Sequence, residues 1–303
     1  MVSIFSTPPH SPPATQPLSM CIDLHTHSIY SDGSCTPAEL VALAVDSGLR
    51  GLSLTDHDTV EGVEEIRRLG TEAGLTVISG VEVSTKLHER TIHILGYGVD
   101  PANTDLQRWL VPLQEGRERR NAIIIQKLQG LGVDITTEEV ETISRCGQTG
   151  RPHIARLLVA KGVVDSFDAA FRQYLGRNRP AWEARFSYSA AETIAMIHQT
   201  GGLAVLAHPG QIDPTMSSQP ALIRELALHG LDGLELHYPT HTRRMKKQLK
   251  ALAAELGLLM TGGSDFHGAT RTTHHHLASK ALGFCPPCSI LGQLTARLAE
   301  RHH

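Results

Sequence analysis

A chain of 303 residues with 41% hydrophobic and 19% charged residues has the composition of a folded, barrel-sized domain with room for an insertion, not of a disordered chain. Its net charge of −3 excludes the polycationic face of a duplex-DNA binder, and 4% aromatic residues is too few for a broad base-stacking platform. Histidine, with 18 copies, is the residue in excess.

Residues 1–19 are rich in Pro, Ser and Thr and lack both a basic start and a long apolar core. They read as a disordered tail, or as an extension upstream of a start at Met20, and not as a signal peptide. No apolar run approaches the roughly 20 residues that cross a bilayer, so no membrane role is expected. "MCIDLHTH" is a strand. "TPAELVALAVDSG" is a helix with Thr36 as N-cap, Pro37 at its first position and Gly48 past its end. "GLSLTDHD" is a short strand, "TVEGVEEIRRLGTEAG" a helix, and "LTVISGVEVST" and "TIHILGYGVD" are two further strands. After residue 189, the strands "GGLAVLAHPG", "LDGLELHYP" and "LLMTGGSDFHG" are separated by the helices "ALIRELALHG" and "HTRRMKKQLKALAAELG". This alternation predicts an α/β fold with a parallel sheet and crossover helices, closed as a barrel.

Between 103 and 189 the pattern is helical, over 103–131, 137–144, 151–161 and 166–175. That block carries thirteen basic against ten acidic residues, so it is more basic than the whole chain. The expected organisation is a barrel built from 20–102 and 190–303, with 103–189 inserted as a small helical cap over the substrate.

The chemistry-bearing residues gather where the strands finish. His25, His27 and Asp32 follow the first strand, and Asp56, His57 and Asp58 the second. Glu82 ends "VISGVE", His93 sits in "TIHILG", His208 ends "LAVLAH", and Asp265 and His267 follow "LMTGGS". In parallel α/β barrels the active site is built at that end. One such histidine is ordinarily a surface or satisfied core residue, but recurrence at five strand ends is not chance. His88, His198, His229, His274, His275, His276, His302 and His303 read as solvated, while His237 and His241 flank a strand end and stay ambiguous. The donor set favours Mn²⁺, Fe²⁺ or Zn²⁺, with Mn²⁺ first. Nine ligands suit two or three divalent ions, with Glu82 as a bridge. The five cysteines are odd in number and scattered, which predicts no disulfide framework and a reduced, cytoplasmic setting. The lone Cys285-Pro-Pro-Cys288 reads as a turn.

With these residues assembled, the chain resembles the PHP (polymerase and histidinol phosphatase) superfamily of metal-dependent phosphoesterases. The motifs are His25-Thr-His27 with Asp32, Thr55-Asp56-His57, Glu82 with His93, His208, and Asp265-Phe-His267. The resemblance implies a distorted seven-stranded β/α barrel. It assigns His25, His27, Glu82 and Asp265 to one ion, Glu82, His93 and His208 to a second, and Asp32, His57 and His267 to a third. Asp56 and Asp58 become candidates for orienting His57 or a neighbour.

The insertion, with "RERRN" (117–121) and "GRPHIARLL" (150–158), is similar to the nucleoside 3′,5′-bisphosphate phosphatase branch. Its members remove a 3′-phosphate, and some act as 5′→3′ exoribonucleases on short RNA. The implied reaction is in-line attack of a metal-bridging hydroxide on a phosphomonoester, with His208, Asp32 and His57 in the catalytic set. His208 or a metal is expected to meet the leaving oxygen. Arg117, Arg120 and Asn121 share one helix face and are expected to grip the second phosphate, helped by Arg151 and His153 at the next helix start. Arg177 and Arg179 are further candidates for this grip. The expected partner is a nucleotide or short RNA end, with no obligate protein partner. The rivals are the same chemistry on histidinol phosphate or another small ester, and a non-enzymatic metal-binding module.

Overall fold

Side-chain caps start several of the helices, among them α1, α3 and α7, so local signals set part of the architecture. A computed structural model describes residues 21–144, 148–268 and 276–301. The expectations for the tail 1–19, Met20, Cys146, His274, His275, His302 and His303 lie outside the described residues. Seven strands form one sheet in chain order: β1 Ile22–Thr26, β2 Gly51–Leu54, β3 Thr76–Leu87, β4 Arg90–Tyr97, β5 Leu203–Leu206, β6 Gly233–His237 and β7 Leu259–Gly262. The helices are α1 Pro37–Asp46, α2 Val63–Glu72, α3 Thr104–Gly130, α4 Thr137–Ser144, α5 Arg151–Ala160, α6 Phe167–Ala170, α7 Ala190–Gln199, α8 Pro209–Ile212, α9 Gln219–Leu228, α10 Arg243–Leu256 and α11 Ser289–Arg301. A π-helical turn, Phe171–Leu175, continues α6. No described helix is long and apolar enough to cross a membrane.

Thr36 caps α1 as expected: its side chain accepts from the Glu39 N–H, and the Glu39 carboxylate accepts from the Thr36 N–H in return. Gly257 ends α10 in the left-handed region at φ 66°.

The sheet is mixed, which corrects the parallel expectation. β3 and β4 form an antiparallel hairpin with Glu82 opposite Leu95 and Ser84 opposite His93, and β4 is also antiparallel to β5. Only His88 and Glu89 separate β3 from β4, too few residues for a crossover. His88 takes φ 52°, a conformation usually announced by Gly or Asn, so the turn left no signature in the sequence. Because β4 runs backwards, the first half of β4 lies level with the finishing ends of its parallel neighbours. That brings His93 to the same end as the other candidate ligands.

The barrel is distorted at its seam. β1 and β7 are not joined by a regular ladder. Instead the segment after β7 meets β1, with the His27 N–H donating to the Phe266 carbonyl (2.8 Å) and the Phe266 N–H to the His25 carbonyl (3.3 Å). The approach is close enough to exclude a side chain at Gly263, where a Cβ would sit 2.3 Å from His25 Cβ.

The first turns of α3 pack Leu106, Leu110 and Leu113 into the barrel core. The second half of α3 joins α4, α5 and α6 around a separate cluster that includes Ile124, Leu128, Ile154, Leu158 and Leu175.

The cysteines bring a second correction, since Cys21 and Cys285 form a disulfide across 264 positions. Spacing could not reveal it. The pair meets because the segment carrying Cys285 lies against the start of β1, where Cys21 bridges Pro287 and Ile22 N–H donates to the Pro286 carbonyl.

The seam predicts opposite outcomes for two glycines. Gly263→Ala should cost about 1–3 kcal/mol of stability by overpacking against backbone. Gly292→Ala, on the exposed face of α11 with nothing within 4 Å, should gain about 0.5–1 kcal/mol. Urea unfolding of both variants checks the pair, and equal effects would refute the tight seam.

Candidate metal centre

The centre is organised around Glu82, which is fully buried midway along β3. The strand runs five residues past it, so Glu82 does not end a strand as the sequence suggested. It reaches the site because the continuation of β2 pairs beside it: the Asp58 N–H donates to the Glu82 carbonyl and the Glu82 N–H to the Asp56 carbonyl. Five imidazoles surround its carboxylate. His57 Nδ1 is 2.8 Å away, His93 Nδ1 2.9 Å, His208 Nε2 3.0 Å, His27 Nε2 3.3 Å and His25 Nε2 3.4 Å. Burial alone would push the Glu82 carboxyl up, but the imidazoles hold it well below the usual carboxylate range.

Asp265 completes one group, with its Oδ1 3.2 Å from His27 Nε2 and 3.5 Å from His25 Nε2. Asp32 completes another: its Oδ1 is 3.0 Å from His267 Nε2 and its Oδ2 is 4.0 Å from His57 Nε2. Three sets have ligand atoms mutually within 4.8 Å: His25, His27, Glu82 and Asp265; His27, Asp32, His57 and His267; and His57, Glu82 and His93. His208 adds its Nε2 beside Glu82.

The chemistry of these donors fits divalent ions. His25 Nε2, His27 Nε2, His57 Nδ1 and Glu82 Oε2 are buried without hydrogen-bond partners. Such atoms are costly unless a cation lies between them. Burial disfavours charge on His25, yet Glu235, Glu82 and Asp265 raise its pKa well above the ordinary value. Burial places His93 at about 4, so that ring offers a neutral lone pair.

Two further carboxylates, Asp56 and Asp58, hold neighbouring groups. Asp56 accepts from Ser28 and Ser31, and Asp58 accepts from Arg117 (2.6 Å) and Arg185 (2.7 Å). Among the described residues neither hydrogen-bonds His57, so of the expected choice between His57 and a neighbour the contacts are to neighbours. Asp58 instead ties the helical insertion to the barrel. His241 is structural, because its Nδ1–H donates to the Leu236 carbonyl and its Nε2 accepts the Gly210 N–H. His237 is half-buried at the end of β6.

The insertion does bring cations together. Arg117, Arg120 and Asn121 share a buried face of α3. Arg120 hydrogen-bonds only the neutral Asn121 oxygen (3.0 and 3.3 Å), and burial with Arg185, Arg117 and Arg151 nearby lowers its pKa well below the ordinary value. A cleft of about 470 Å³ is lined by His93 on one side and by Lys86, Arg120, Arg151 and Arg185 on others, with exposed Arg177 at its rim. Arg177 also donates to the Glu89 carbonyl, and Arg179 is exposed. His153 is buried with Nδ1 accepting the Gly150 N–H, so its Nε2 carries the proton and has no partner. Burial lowers its pKa to about 4, leaving a neutral donor.

The sequence reading missed Arg185, Arg156 and Glu235. Arg185 lies in an irregular segment without periodicity, and Arg156, which donates to the Asp32 carbonyl at 2.7 Å, looks like an ordinary helix cation. Glu235 did carry a signal, as an acid flanked by leucines in a buried strand.

The protonation of the cluster predicts how metal and pH compete. Burial opposes charge on His27, but the carboxylates of Asp265 and Glu82 beside its ring raise its pKa to about 9. In chelator-stripped protein this contribution to stability is complete below the unfolded value of about 6.5 and is lost as pH rises through the folded value. A metal displaces the same proton. The melting temperature of stripped protein should therefore fall across this window while the gain on adding Mn²⁺ grows. Thermal melts with and without chelator test this, and a Mn²⁺ gain that shrinks with rising pH would contradict it.

Comparison with known proteins agrees with this geometry. Residues 23–229 match the PHP domain model. The chain is 35% identical over 245 residues to a 5′-3′ exoribonuclease of Haemophilus influenzae, covering 81% of this chain and 89% of that one. It is 33% identical over 247 residues to the 3′,5′-nucleoside bisphosphate phosphatase of Chromobacterium violaceum, covering 81% and 87%. A solved structure from Bifidobacterium adolescentis, described as a metal-dependent phosphoesterase, superposes with TM-score 0.82 at 29% identity, covering 93% of this chain and 98% of that one. With the family's domain spanning most of the sequence and its histidines and acids converging on one buried cluster, this chain belongs to the PHP domain family and is a metal-dependent phosphoesterase.

Proposed function

We propose that the chain removes the 3′-phosphate from nucleoside 3′,5′-bisphosphates, using two or three divalent ions with Mn²⁺ the best-suited metal. The observation that carries this reading is Arg120. It is a buried guanidinium beside three others, and among the described residues it hydrogen-bonds a neutral amide and forms no ion pair, with Asp58 an acid near enough to act on it, in a cleft that also contains His93 of the metal centre. A second, non-reacting phosphate would supply the missing negative charge. The relative named as a 3′,5′-nucleoside bisphosphate phosphatase supports the same substrate class.

Bound divalent ions would supply Lewis acidity and a hydrolytic nucleophile at neutral pH. His25, His27, Glu82 and Asp265 would hold one ion, Glu82, His93 and His208 a second, and Asp32, His57 and His267 a third. Arg120 and Arg151 bind and orient the second phosphate. His153 Nε2–H adds a neutral donor that stays protonated at physiological pH. Asp58 fixes Arg117 and Arg185, and so sets the position of the Arg185 guanidinium that lines the cleft. The departing ribose oxygen needs a proton or a cation, which either His208 or a bound ion would supply.

A second reading is 5′→3′ exoribonuclease action on short RNA. Lys86, Arg90 and Arg177 extend the cationic lining toward the open rim, where a longer chain would run. The relative named as an exoribonuclease favours it.

Two measurements test the assignment. His25→Ala and Glu82→Ala should each abolish turnover, whereas His229→Ala, exposed at the end of α9, should not. Arg120→Ala should remove a charge-assisted contact worth about 1.5–3 kcal/mol, a roughly ten- to hundredfold loss in kcat/KM for the bisphosphate. Hydrolysis of 3′-AMP, which lacks the second phosphate, should change little. Comparing 3′,5′-bisphosphate with 3′-AMP in both proteins decides the point: an equal loss on both would withdraw the second-phosphate pocket. A short 5′-phosphorylated RNA turned over faster than either nucleotide would favour the exonuclease reading.

A further inference from the structure

Glu235 is wholly buried on β6, and its two oxygens serve two different ligand groups. Oε1 accepts from His25 Nδ1 at 3.2 Å. Because Nδ1 carries that proton, the lone pair of His25 is on Nε2, which faces Glu82 Oε1 at 3.4 Å and Asp265 Oδ1 at 3.5 Å. Oε2 accepts the backbone N–H of His208 at 2.8 Å. His208 has φ 29° and ψ 55°, a left-handed conformation disfavoured for any residue with a side chain. From that turn its Nε2 lies 3.0 Å from Glu82 Oε1.

We propose that Glu235 is a positioning residue that couples two ion sites, fixing the His25 tautomer at one and the His208 backbone at the other. A carboxylate is the side chain this position needs, since it accepts at both oxygens and donates at neither. The carboxylate–imidazole pair is the general means by which an outer residue orients a ligand, and loss of such partners typically lowers metal affinity by about 10–100-fold. Here one side chain holds ligands of two sets, so its loss should be felt at both. The inference rests on the metal centre described above but not on the choice of substrate.

The test is Mn²⁺ titration of chelator-stripped full-length protein, with free Mn²⁺ followed by electron paramagnetic resonance. Glu235→Gln has nearly the same shape but one acceptor, so either the His25 Nδ1–H or the His208 N–H must face an NH₂ group. The expected result is Mn²⁺ binding about tenfold to hundredfold weaker for two ions rather than one. Glu235→Asp keeps both oxygens on a shorter stem and should fall between wild type and Gln; it carries the test if the Gln variant does not fold. Asp232→Asn is the control. Asp232 accepts from His198 and Ala204 N–H away from the centre, so its loss should lower the melting temperature and leave the isotherm alone. An unchanged isotherm in Glu235→Gln, with or without a lower melting temperature, overturns the proposal. Weakening confined to a single ion overturns the coupling. Wild-type protein that takes up no Mn²⁺, Fe²⁺ or Zn²⁺ would instead refute the metal centre itself.

Discussion

A buried carboxylate ringed by imidazoles is the constraint that the rest of this structure serves. Glu82 lies within 3.4 Å of five histidine nitrogens and has no exposure to water. Removing an ionised carboxylate from water costs several kcal/mol, which only nearby positive charge offsets. Protons on the imidazoles are one source of that charge, and divalent cations are the better one, because His25 Nε2, His27 Nε2, His57 Nδ1 and Glu82 Oε2 converge without hydrogen-bond partners. The hairpin of β3 and β4 follows from the same need. It places His93 on the strand beside Glu82, opposite Ser84 and so offset from Glu82 by two residues, with its Nδ1 2.9 Å from the Glu82 carboxylate.

The same barrel end also carries the link to the helical insertion. Asp58, next to His57 in sequence, accepts from Arg117 on α3 and from Arg185 in the segment returning to α7. Burial would raise its pKa, but Arg185 and Arg117 hold it far below the ordinary carboxylate value. One carboxylate thereby anchors both ends of the insertion beside the metal centre. Two of the clustered guanidiniums hydrogen-bond it, and Arg120 has no hydrogen bond to a carboxylate among the described residues. The gathering of guanidiniums at the cleft is thus a consequence of how the insertion docks, not a separate feature.

How much of this was legible in the sequence depends on the range of the interaction. Thr36 with Glu39 and Gly257 at the end of α10 act within a few residues, so their signals sit in adjacent letters. All nine candidate ligands were visible because metal-type side chains followed apolar strands again and again. The antiparallel hairpin was not, since its turn uses His88 and Glu89 rather than Gly or Asn. The Cys21–Cys285 pair joins residues that only barrel closure brings together. Arg185 gave no sign because its position is set by Asp58, 127 residues earlier, and not by any local pattern.

Backbone strain shows where these demands conflict with ordinary folding. Asp58 (φ 57°), His208 (φ 29°) and Asp265 (φ 55°) are all left-handed without being glycine, and all sit just past the ends of strands. Such conformations cost on the order of 1–3 kcal/mol each and persist only where the surroundings over-determine them. Each of the three is held several ways. Asp58 has its N–H on the Glu82 carbonyl and its carboxylate on two arginines and the Ser84 N–H. The His208 N–H is on Glu235, and the Asp265 carboxylate accepts the Tyr238 hydroxyl at 3.0 Å. Strands end in the direction of the sheet, whereas a metal cluster needs side chains turned inward from the rim. Left-handed turns at these three positions make that change of direction within one residue, and buried polar partners hold them there.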